Sequence, residues 1–127
     1  CERAFGAWEG LTWAEIERDY ADERARAQAD PHYAISGGGE SRQATLDRAV
    51  AFFEELCARR DCNSVLLVTH SGTATSFIKY VLGISQAQRR SFEVRNLALN
   101  IVEFDEAERA WMVRTLGDTA HLAGCTP

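Results

Sequence analysis

The stretch SVLLVTHSGTATSFIKYVLG, residues 64–83, constrains the fold of this chain more than any other. Its first half is a short, almost wholly apolar run of valine and leucine, which is typical of a strand buried on both faces of a sheet. Beyond His70 the apolar residues recur at helical spacing, and Gly83 is a suitable residue to end that helix. A strand, a tight turn and a helix make the βα unit of a parallel sheet. The sequence therefore predicts an α/β fold with VLLVT as a central strand.

The other segments predict two more helices and a terminal pair of strands. Thr12 and Glu15 match a capping box, so a helix is expected to open at Trp13 and to continue into ADERARAQA. Ser41 is a good N-cap for a second helix, in which apolar residues recur every three or four positions. The segment DPHYAISGGGES between them is expected to be a loop, and NLALNIVEF and WMVRTL alternate as paired strands do. The sequence thus predicts three strands and three helices. Three strands are few for an open sheet, so strands of this sheet are expected to be missing.

The bulk composition narrows the class of partner. A chain of 127 residues fits one domain, so residues 1–127 are expected to form a single one. A net charge of −5 argues against nucleic acid or an anionic membrane as the main partner, because such binders need basic surface. No apolar run approaches the roughly 20 residues needed to cross a bilayer. The sequence leaves the oligomeric state open.

The four cysteines form no Cys-x-x-Cys pair, and no secretory leader is recognised before them. This pattern favours a reducing, cytoplasmic location. A zinc site that uses Cys57, Cys62 and a histidine is the alternative, but the gap between the two cysteines falls where a helix is expected to end. Buried or surface thiols are the more ordinary interpretation, so no metal is expected.

His70 has the best position for chemistry. It closes the predicted strand and precedes a helix, which is where open α/β sheets place ligand-binding residues. The backbone amides of Ser71, Gly72 and Thr73 would open that helix, and unpaired amides there attract an anion such as phosphate. A histidine that only hydrogen-bonds a loop is the alternative. A serine nucleophile is rejected, because the G-x-S-x-G pattern is absent and the side chains of His70 and Ser71 should leave the strand on opposite sides.

Three segments, in order, resemble the histidine phosphatase superfamily, whose fold is phosphoglycerate-mutase-like. ERAFGAWEG is similar to its Glu-x-x-aromatic-Gly-x-aromatic-Glu-Gly segment, GGESRQATLDRAVAFFEEL to its Gly-Glu-Ser helix start, and VLLVTHSGTATSFIKYVLG to its second-histidine strand and helix. NLALNIVEF and the later AHL match its closing elements. The resemblance covers nearly the whole chain. It implies a three-layer α/β sandwich with a mostly parallel central sheet, and no cofactor.

The resemblance also implies roles for individual residues. Glu2 stands where the family has its proton donor and acceptor, and His70 stands where a histidine stabilises the transferring phosphoryl group. Such chemistry needs a proton for the leaving alkoxide and fixed donors for the phosphoryl oxygens. Arg3 is then a candidate substrate contact, with an exposed arginine of no special role as the alternative. The amides of Ser71 and Gly72 are the other candidates for binding a small phosphorylated substrate.

The chain departs from the family pattern at the nucleophile. The family's nucleophilic histidine lies in an Arg-His-Gly motif on the first strand, and neither His32 nor His121 has that setting. The chain is therefore expected to be the C-terminal portion of a histidine phosphatase domain, N-terminally incomplete and inactive by itself. The implied activity of the whole domain is hydrolysis of small phosphomonoesters through a phosphohistidine. A phosphoglycerate-mutase-type phosphotransferase and a non-catalytic member that binds a phospholigand or a partner stay open as alternatives.

Overall fold

The computed structural model describes residues 1–59, 61 and 63–124, and most of its elements lie close to the predicted ones. Two short helices come first, a long helix follows the glycine-rich loop, and a further helix precedes a β-hairpin. None of the described helices has the length and hydropathy needed to cross a membrane. The elements are α1 Trp13–Asp19, α2 Ala21–Ala29, α3 Arg42–Ala58, α4 Ser71–Val81, β1 Leu99–Asp105 and β2 Ala110–Asp118, with 3₁₀ turns at Gly6–Trp8 and Ala120–Leu122.

The capping box at the start of α1 is confirmed. The amide of Glu15 donates to Thr12 Oγ1 at 3.3 Å, and the amide of Thr12 donates to Glu15 Oε2 at 2.7 Å. The single helix predicted over α1 and α2 is wrong, because it is divided at Tyr20. That residue has φ −130° and ψ 28°, outside the helical region, and it joins the end of α1 to the start of α2.

A small apolar core explains this division. Trp8, Ile16 and Ile35 are buried against one another, and the ring of Tyr20 packs on them. The indole Nε1 of Trp8 donates to Glu23 Oε2 at 2.8 Å, so the buried polar atom of the core is satisfied by α2. The change of direction at Tyr20 therefore accompanies the burial of its ring and the closure of α2 onto Trp8.

The glycine-rich loop packs tightly against the start of the chain. The amide of Ala7 donates to the carbonyl of Ser36 at 2.8 Å, and the amide of Glu40 donates to the carbonyl of Ala4 at 2.8 Å. Gly37 has a φ of 71°, and a Cβ there would lie 2.8 Å from the amide nitrogen of Ala7. The loop is therefore a close-packed turn that holds the start of the chain beside α3.

Helices α3 and α4 pack on each other and on the hairpin through aromatic rings. The predicted cap of α3 is confirmed, since the amide of Ala44 donates to Ser41 Oγ at 3.0 Å. Phe53 of α3 and Phe77 of α4 are stacked with ring centroids 3.6 Å apart. Trp111 of β2 meets both rings edge-on, at 5.5 and 5.2 Å. These three rings join the C-terminal elements to one another.

The predicted terminal pair of strands is confirmed. Strands β1 and β2 are antiparallel, with Val102 opposite Val113 and Phe104 opposite Trp111. Irregularities in the register near Ile101 interrupt the ladder at one end. Burial alternates along β1, so one face of the hairpin is partly covered and the other faces solvent. In the described part of the chain this hairpin is the whole of the sheet.

The prediction that VLLVT is a buried central strand is wrong for the described chain. Residues 64–70 have no regular secondary structure, and Leu66 and Val68 are 83% and 94% exposed. A strand that is buried on both faces needs hydrogen-bonding neighbours and covering layers. The described residues offer none, because their strand pairing is confined to β1 and β2. An apolar pattern selects an interior position only when the neighbouring strands are present.

Candidate active site

Glu2 is half-buried, with its carboxylate against the first turn of α4. Its Oε2 accepts from the amide of Gly72 at 3.2 Å, and its Oε1 accepts from the amides of Thr73 at 3.2 Å and Arg3 at 2.8 Å. Amides at a helix start have no partner within the helix, and the helix dipole favours negative charge there. The sequence predicted that these amides attract an anion. In this structure the anionic group beside them is the side chain of Glu2.

Gly72 is the residue that permits this approach. A Cβ at this position would overlap Glu2 Oε1 and would lie 3.0 Å from Glu2 Cδ. Since the obstructing atoms belong to the carboxyl group itself, any side chain at position 72 would have to push Glu2 away from the helix. The absence of a side chain is therefore a direct requirement of the site geometry.

His70 is the N-cap residue of the same helix. Its backbone is extended, with φ −107° and ψ 159°, and its side chain makes no capping hydrogen bond. The residue is exposed, while its carbonyl accepts from the amide of Ala74 at 3.0 Å. Helix α4 thus places His70 two residues before the amide of Gly72 that holds Glu2. The predicted residues Glu2, His70, Ser71 and Gly72 are gathered at one helix terminus.

Arg48 of α3 holds the backbone on either side of Glu2. Its Nη2 donates to the carbonyl of Glu2 at 2.9 Å and its Nη1 donates to the carbonyl of Cys1 at 3.2 Å. Its guanidinium also pairs with Glu40, with Nε to Oε1 at 2.7 Å and Nη2 to Oε2 at 3.0 Å. Glu40 in turn accepts from the amide of Ala4 at 3.0 Å. The pair therefore fixes the backbone that carries Glu2.

No sequence motif predicted the pair of Arg48 and Glu40. The hydrogen bond from Arg48 is the main reason that the pKa of Glu40 lies below its ordinary value. One signal was available, because Arg48 lies three residues after Thr45 and next to Ala49, both of which are buried on α3. An arginine on the inward side of an amphipathic helix needs polar partners, and this position could have been read as a site of pairing.

The side chain of Arg3 is half-buried beside Glu2. Its guanidinium carbon lies 4.6 Å from the centroid of the Phe5 ring, a cation–π contact. Its Nε is buried and has no hydrogen-bond partner among the described residues. Burial is the largest cause of the lowered pKa of Arg3, followed by the charge of Arg42, while Glu2 and Glu40 oppose the shift. The alternative interpretation of Arg3 as an exposed arginine does not agree with its half-buried side chain.

The described residues contain no cluster of three or more histidine, cysteine, aspartate or glutamate side chains arranged to hold a metal. Cys62 of the alternative zinc site lies outside the described residues. Cys57 is a half-buried free thiol, and burial raises its pKa.

Comparison with known protein families matches residues 1–119 to the model of the histidine phosphatase superfamily (branch 1). The match includes Glu2, the loop and α3, α4 with His70, and the hairpin. It therefore runs through all the residues that form the candidate site.

Individual relatives agree with this match. Phosphoserine phosphatase 1 of Hydrogenobacter thermophilus is 26% identical over 117 residues, which are 92% of this chain and 54% of that protein. The metal-independent phosphoserine phosphatase of Arabidopsis thaliana is 28% identical over 123 residues, 96% of this chain and 49% of that protein. The chain thus spans about half the length of these curated relatives. YhfR of Bacillus stearothermophilus has the same fold, with a TM-score of 0.82 at 24% identity over 95% of this chain and 59% of that one.

Proposed function

The chain belongs to branch 1 of the histidine phosphatase superfamily, and from that premise we propose that it is part of a phosphatase that hydrolyses small phosphomonoesters through a phosphohistidine intermediate. The contact between Glu2 and the first turn of α4 supports this function most directly. There the amides of Gly72 and Thr73 hold a carboxylate beside the helix that His70 caps. In the proposed function, Glu2 is the proton donor and the start of α4 binds the phosphoryl group, so the two roles fall to neighbouring groups. The two related phosphoserine phosphatases support a small phosphorylated substrate.

In the proposed first step a histidine nitrogen attacks phosphorus, the N–P bond forms and the P–O bond to the leaving group breaks. Glu2 gives its proton to the leaving oxygen, because an unprotonated alkoxide leaves poorly. His70 and the amides of Ser71 and Gly72 donate to the phosphoryl oxygens, where negative charge accumulates. The phosphoryl group competes with Glu2 for the helix amides. A carboxylate displaced from them is free to take up a proton and to face the leaving oxygen.

In the proposed second step water attacks the phosphorus of the phosphohistidine. Glu2, now ionised, accepts a proton from that water as the new O–P bond forms. The N–P bond breaks, the histidine is regenerated and inorganic phosphate leaves. Each step needs only side chains, backbone amides and water, so the proposal includes no metal or cofactor.

The nucleophilic histidine is proposed to come from a segment outside these 127 residues. The sequence has no Arg-His-Gly motif, and the chain spans about half the length of its curated relatives. The same segment would supply strands on either side of VLLVT and bury Leu66 and Val68 inside a mostly parallel sheet with helices on both faces. On this proposal residues 1–127 are the C-terminal portion of a single domain and have no turnover of their own.

We further propose a cytoplasmic location for the whole protein and no nucleic-acid partner. The pattern of four cysteines without a Cys-x-x-Cys pair favours a reducing compartment. The net charge of −5 argues against nucleic acid as a partner.

Trapping the covalent intermediate of the full-length protein tests this function. The enzyme is mixed with a radioactively labelled alkyl phosphomonoester under single-turnover conditions, denatured, and exposed to acid or to base. A phosphohistidine loses its label in acid and keeps it in base, whereas a phosphoserine behaves in the opposite way. We expect acid-labile label in the full-length protein and none in the 127-residue chain. Turnover without label, or with base-labile label, would overturn the phosphohistidine mechanism.

A further inference from the structure

The connection that follows α4, residues 84–90, turns back and runs along that helix toward its start. At the end of the helix the amide of Ile84 donates to the carbonyl of Lys79 at 2.8 Å, which sets the direction in which the chain leaves α4. Two residues later Gln86, which is 5% exposed, donates from its Nε2 to the carbonyl of Ser76 at 3.0 Å. The connection is therefore held against the side of α4.

A buried lysine of α4 fastens the same connection. Lys79 is 4% exposed, and its Nζ donates to the carbonyl of Gln88 at 2.6 Å. Burial is the largest cause of its lowered pKa, and it forms no ion pair with a carboxylate among the described residues. Burying an ammonium group is unfavourable unless its hydrogen bonds offset the lost hydration. Two buried polar side chains, those of Lys79 and Gln86, thus serve to hold one connection in place.

The connection ends with Arg90 beside the first turns of α4. The Nη1 of Arg90 donates to Thr75 Oγ1 at 3.2 Å. Side chains on a helix lean toward its N-terminus, so the Thr75 hydroxyl lies over the turn that carries Ser71 and Gly72. The guanidinium group bound to it is therefore about one helical turn, roughly 5.4 Å along the axis, from the amides that start α4. One of these amides, that of Gly72, holds the Glu2 carboxyl group.

The guanidinium group of Arg90 keeps most of its donors free. Arg90 is exposed, and among the described residues its hydrogen bonding is confined to the neutral hydroxyl of Thr75. Arg48 differs, because its guanidinium is engaged by Glu40 and by two backbone carbonyls. A guanidinium with free donors can form two parallel hydrogen bonds with a phosphate. In a chain of net charge −5, it also supplies local positive charge beside the helix start.

We propose that Arg90 is a further substrate-binding residue, which donates to the phosphoryl oxygens from the connection after α4, and that Lys79 is its positioning residue. The inference rests on the proposed phosphatase function, because it takes the start of α4 as the place where the phosphoryl group binds. Arg90 makes and breaks no bond. Its N–H groups meet oxygens that are negatively charged both in the ester and during transfer. Its removal should therefore weaken the binding of any phosphomonoester, whatever the leaving group.

Inhibition of the full-length protein by inorganic phosphate tests the contact of Arg90. Arg90→Met should raise the inhibition constant of phosphate by about 10–100-fold, the range for loss of a hydrogen bond between charged groups. The unfolding temperature should stay within a few degrees of wild type, because Arg90 is exposed. Arg89→Met is the matched control, since Arg89 is the adjacent exposed arginine and has no hydrogen bond to a described residue. It removes the same charge and should raise the constant less than about threefold at physiological salt. Equal effects of the two variants would overturn the assignment of Arg90.

Lys79→Met tests the positioning role, because methionine fills the buried space but cannot hold the carbonyl of Gln88. It should raise the inhibition constant of phosphate by about 3–10-fold, as loss of one hydrogen bond does. In an Arg90→Met background it should change the constant less than about twofold, since no guanidinium is left to position. If Lys79→Met does not fold, Thr75→Val gives the same comparison by removing the acceptor of the Arg90 hydrogen bond. Equal effects in the two backgrounds would mean that the changed residue does not act through Arg90.

Failure of this assignment and failure of the phosphatase function give different results. If wild type hydrolyses p-nitrophenyl phosphate but Arg90→Met leaves the inhibition by phosphate unchanged, the phosphatase function stands and Arg90 is not a substrate contact. If wild type hydrolyses no phosphate ester, the phosphatase function is wrong, and calorimetric titration with inorganic phosphate decides the contact separately. Weaker binding by Arg90→Met than by wild type would then support it. Equal affinity of the two proteins, or no binding by wild type, would overturn it as well.

Discussion

Two parts of this molecule differ in whether their apolar side chains are buried or exposed. In residues 1–58, the side chains of Trp8, Ile16 and Ile35 are at most 5% exposed. The helices and the loop of this part pack around them. In residues 64–70 the most apolar run of the chain lies open, with Leu66 83% exposed. A helix completes its hydrogen bonds within itself, so it needs a neighbour on one side only. A strand needs a partner for its backbone before its side chains can be buried.

The candidate active site lies where the first part meets helix α4, which directly follows the exposed run. Glu2 belongs to the well-packed first part, and the amides that hold its carboxyl group belong to α4, which follows the exposed run. The aromatic contact of Phe53 with Phe77 joins α3 of the first part to the same helix α4. This junction is formed although the described residues pair no strand with VLLVT, so it can be tested separately from that strand.

The largest effect is expected from changing Glu2 in the full-length protein. Glu2→Gln should slow an alkyl phosphate by about 10²–10⁴-fold, the usual span of acid–base catalysis, because the alkoxide needs a proton to leave. It should slow p-nitrophenyl phosphate much less, since nitrophenolate leaves unprotonated. His70→Ala should slow both esters, because phosphoryl charge must be stabilised whatever group departs. Single-turnover phosphorylation of the enzyme measures the first chemical step for each ester.

Equal losses for the two esters in Glu2→Gln would assign Glu2 a different role. It would then position the substrate or support the start of α4, and its assignment as proton donor would have to be withdrawn. In that case the hydrogen bonds from Gly72 and Thr73 would be purely structural.

The next largest effect compares one apolar residue from each part. In the 127-residue chain Ile16→Ala should lower the free energy of unfolding by about 2–5 kcal/mol, because Ile16 is 4% exposed in the core. Leu66→Ala should change it by less than about 0.5 kcal/mol, since that side chain is 83% exposed. In the full-length protein both should cost about 2–5 kcal/mol if VLLVT becomes an interior strand. Urea unfolding measures all four values, and a Leu66→Ala cost that stays near zero in the full-length protein would contradict the proposed parallel sheet.

A smaller effect is expected at Gly72, where two influences have opposite signs. Alanine in place of glycine favours a helix by up to about 1 kcal/mol, but here its Cβ would overlap the Glu2 carboxyl group. Gly72→Ala should therefore lower the free energy of unfolding by about 0.5–2 kcal/mol, as loss of a helix cap does. In a Glu2→Ala background the same change should be neutral or stabilising. Thermal unfolding of the four proteins in this double-mutant cycle measures the coupling, and additive effects would mean that Glu2 does not occupy the helix start.

The smallest effect concerns pH and the pair of Arg48 and Glu40. Because the pKa of Glu40 is lowered in the folded state, the unfolded state binds the proton more readily. The stabilisation is therefore fully present above the ordinary glutamate pKa of about 4.3 and is lost as the pH falls through the lower folded value. Arg48→Met should remove this contribution, about 1 kcal/mol or less for a partly exposed pair. The difference in unfolding free energy between wild type and Arg48→Met should shrink from pH 7 to pH 3, and a constant difference would mean that Arg48 acts only through the carbonyls of Cys1 and Glu2.

The local signals in the sequence were sufficient for most of the helices and for the hairpin. Thr12 with Glu15, and Ser41 with the amphipathic run after it, determine where α1 and α3 begin, because a cap joins residues only three positions apart. The alternation in NLALNIVEF and WMVRTL determines a pair of strands for the same reason, since the two segments are close enough in sequence to form a hairpin. The family motifs identified Glu2 and His70 as candidate site residues, but they did not indicate how the two residues come together.

Tertiary structure alone decided the features that join distant parts of the chain. The hydrogen bond from Gly72 to Glu2 spans seventy residues, and that from Arg48 to Glu2 spans forty-six. Neither leaves a local pattern, because each depends on how whole helices pack. The same is true of the division at Tyr20, of the contact of Arg3 with the ring of Phe5, and of the exposure of VLLVT. The sequence determines that the run VLLVT is apolar. Whether this run is buried depends on backbone hydrogen-bond partners from other strands, which the run itself cannot provide.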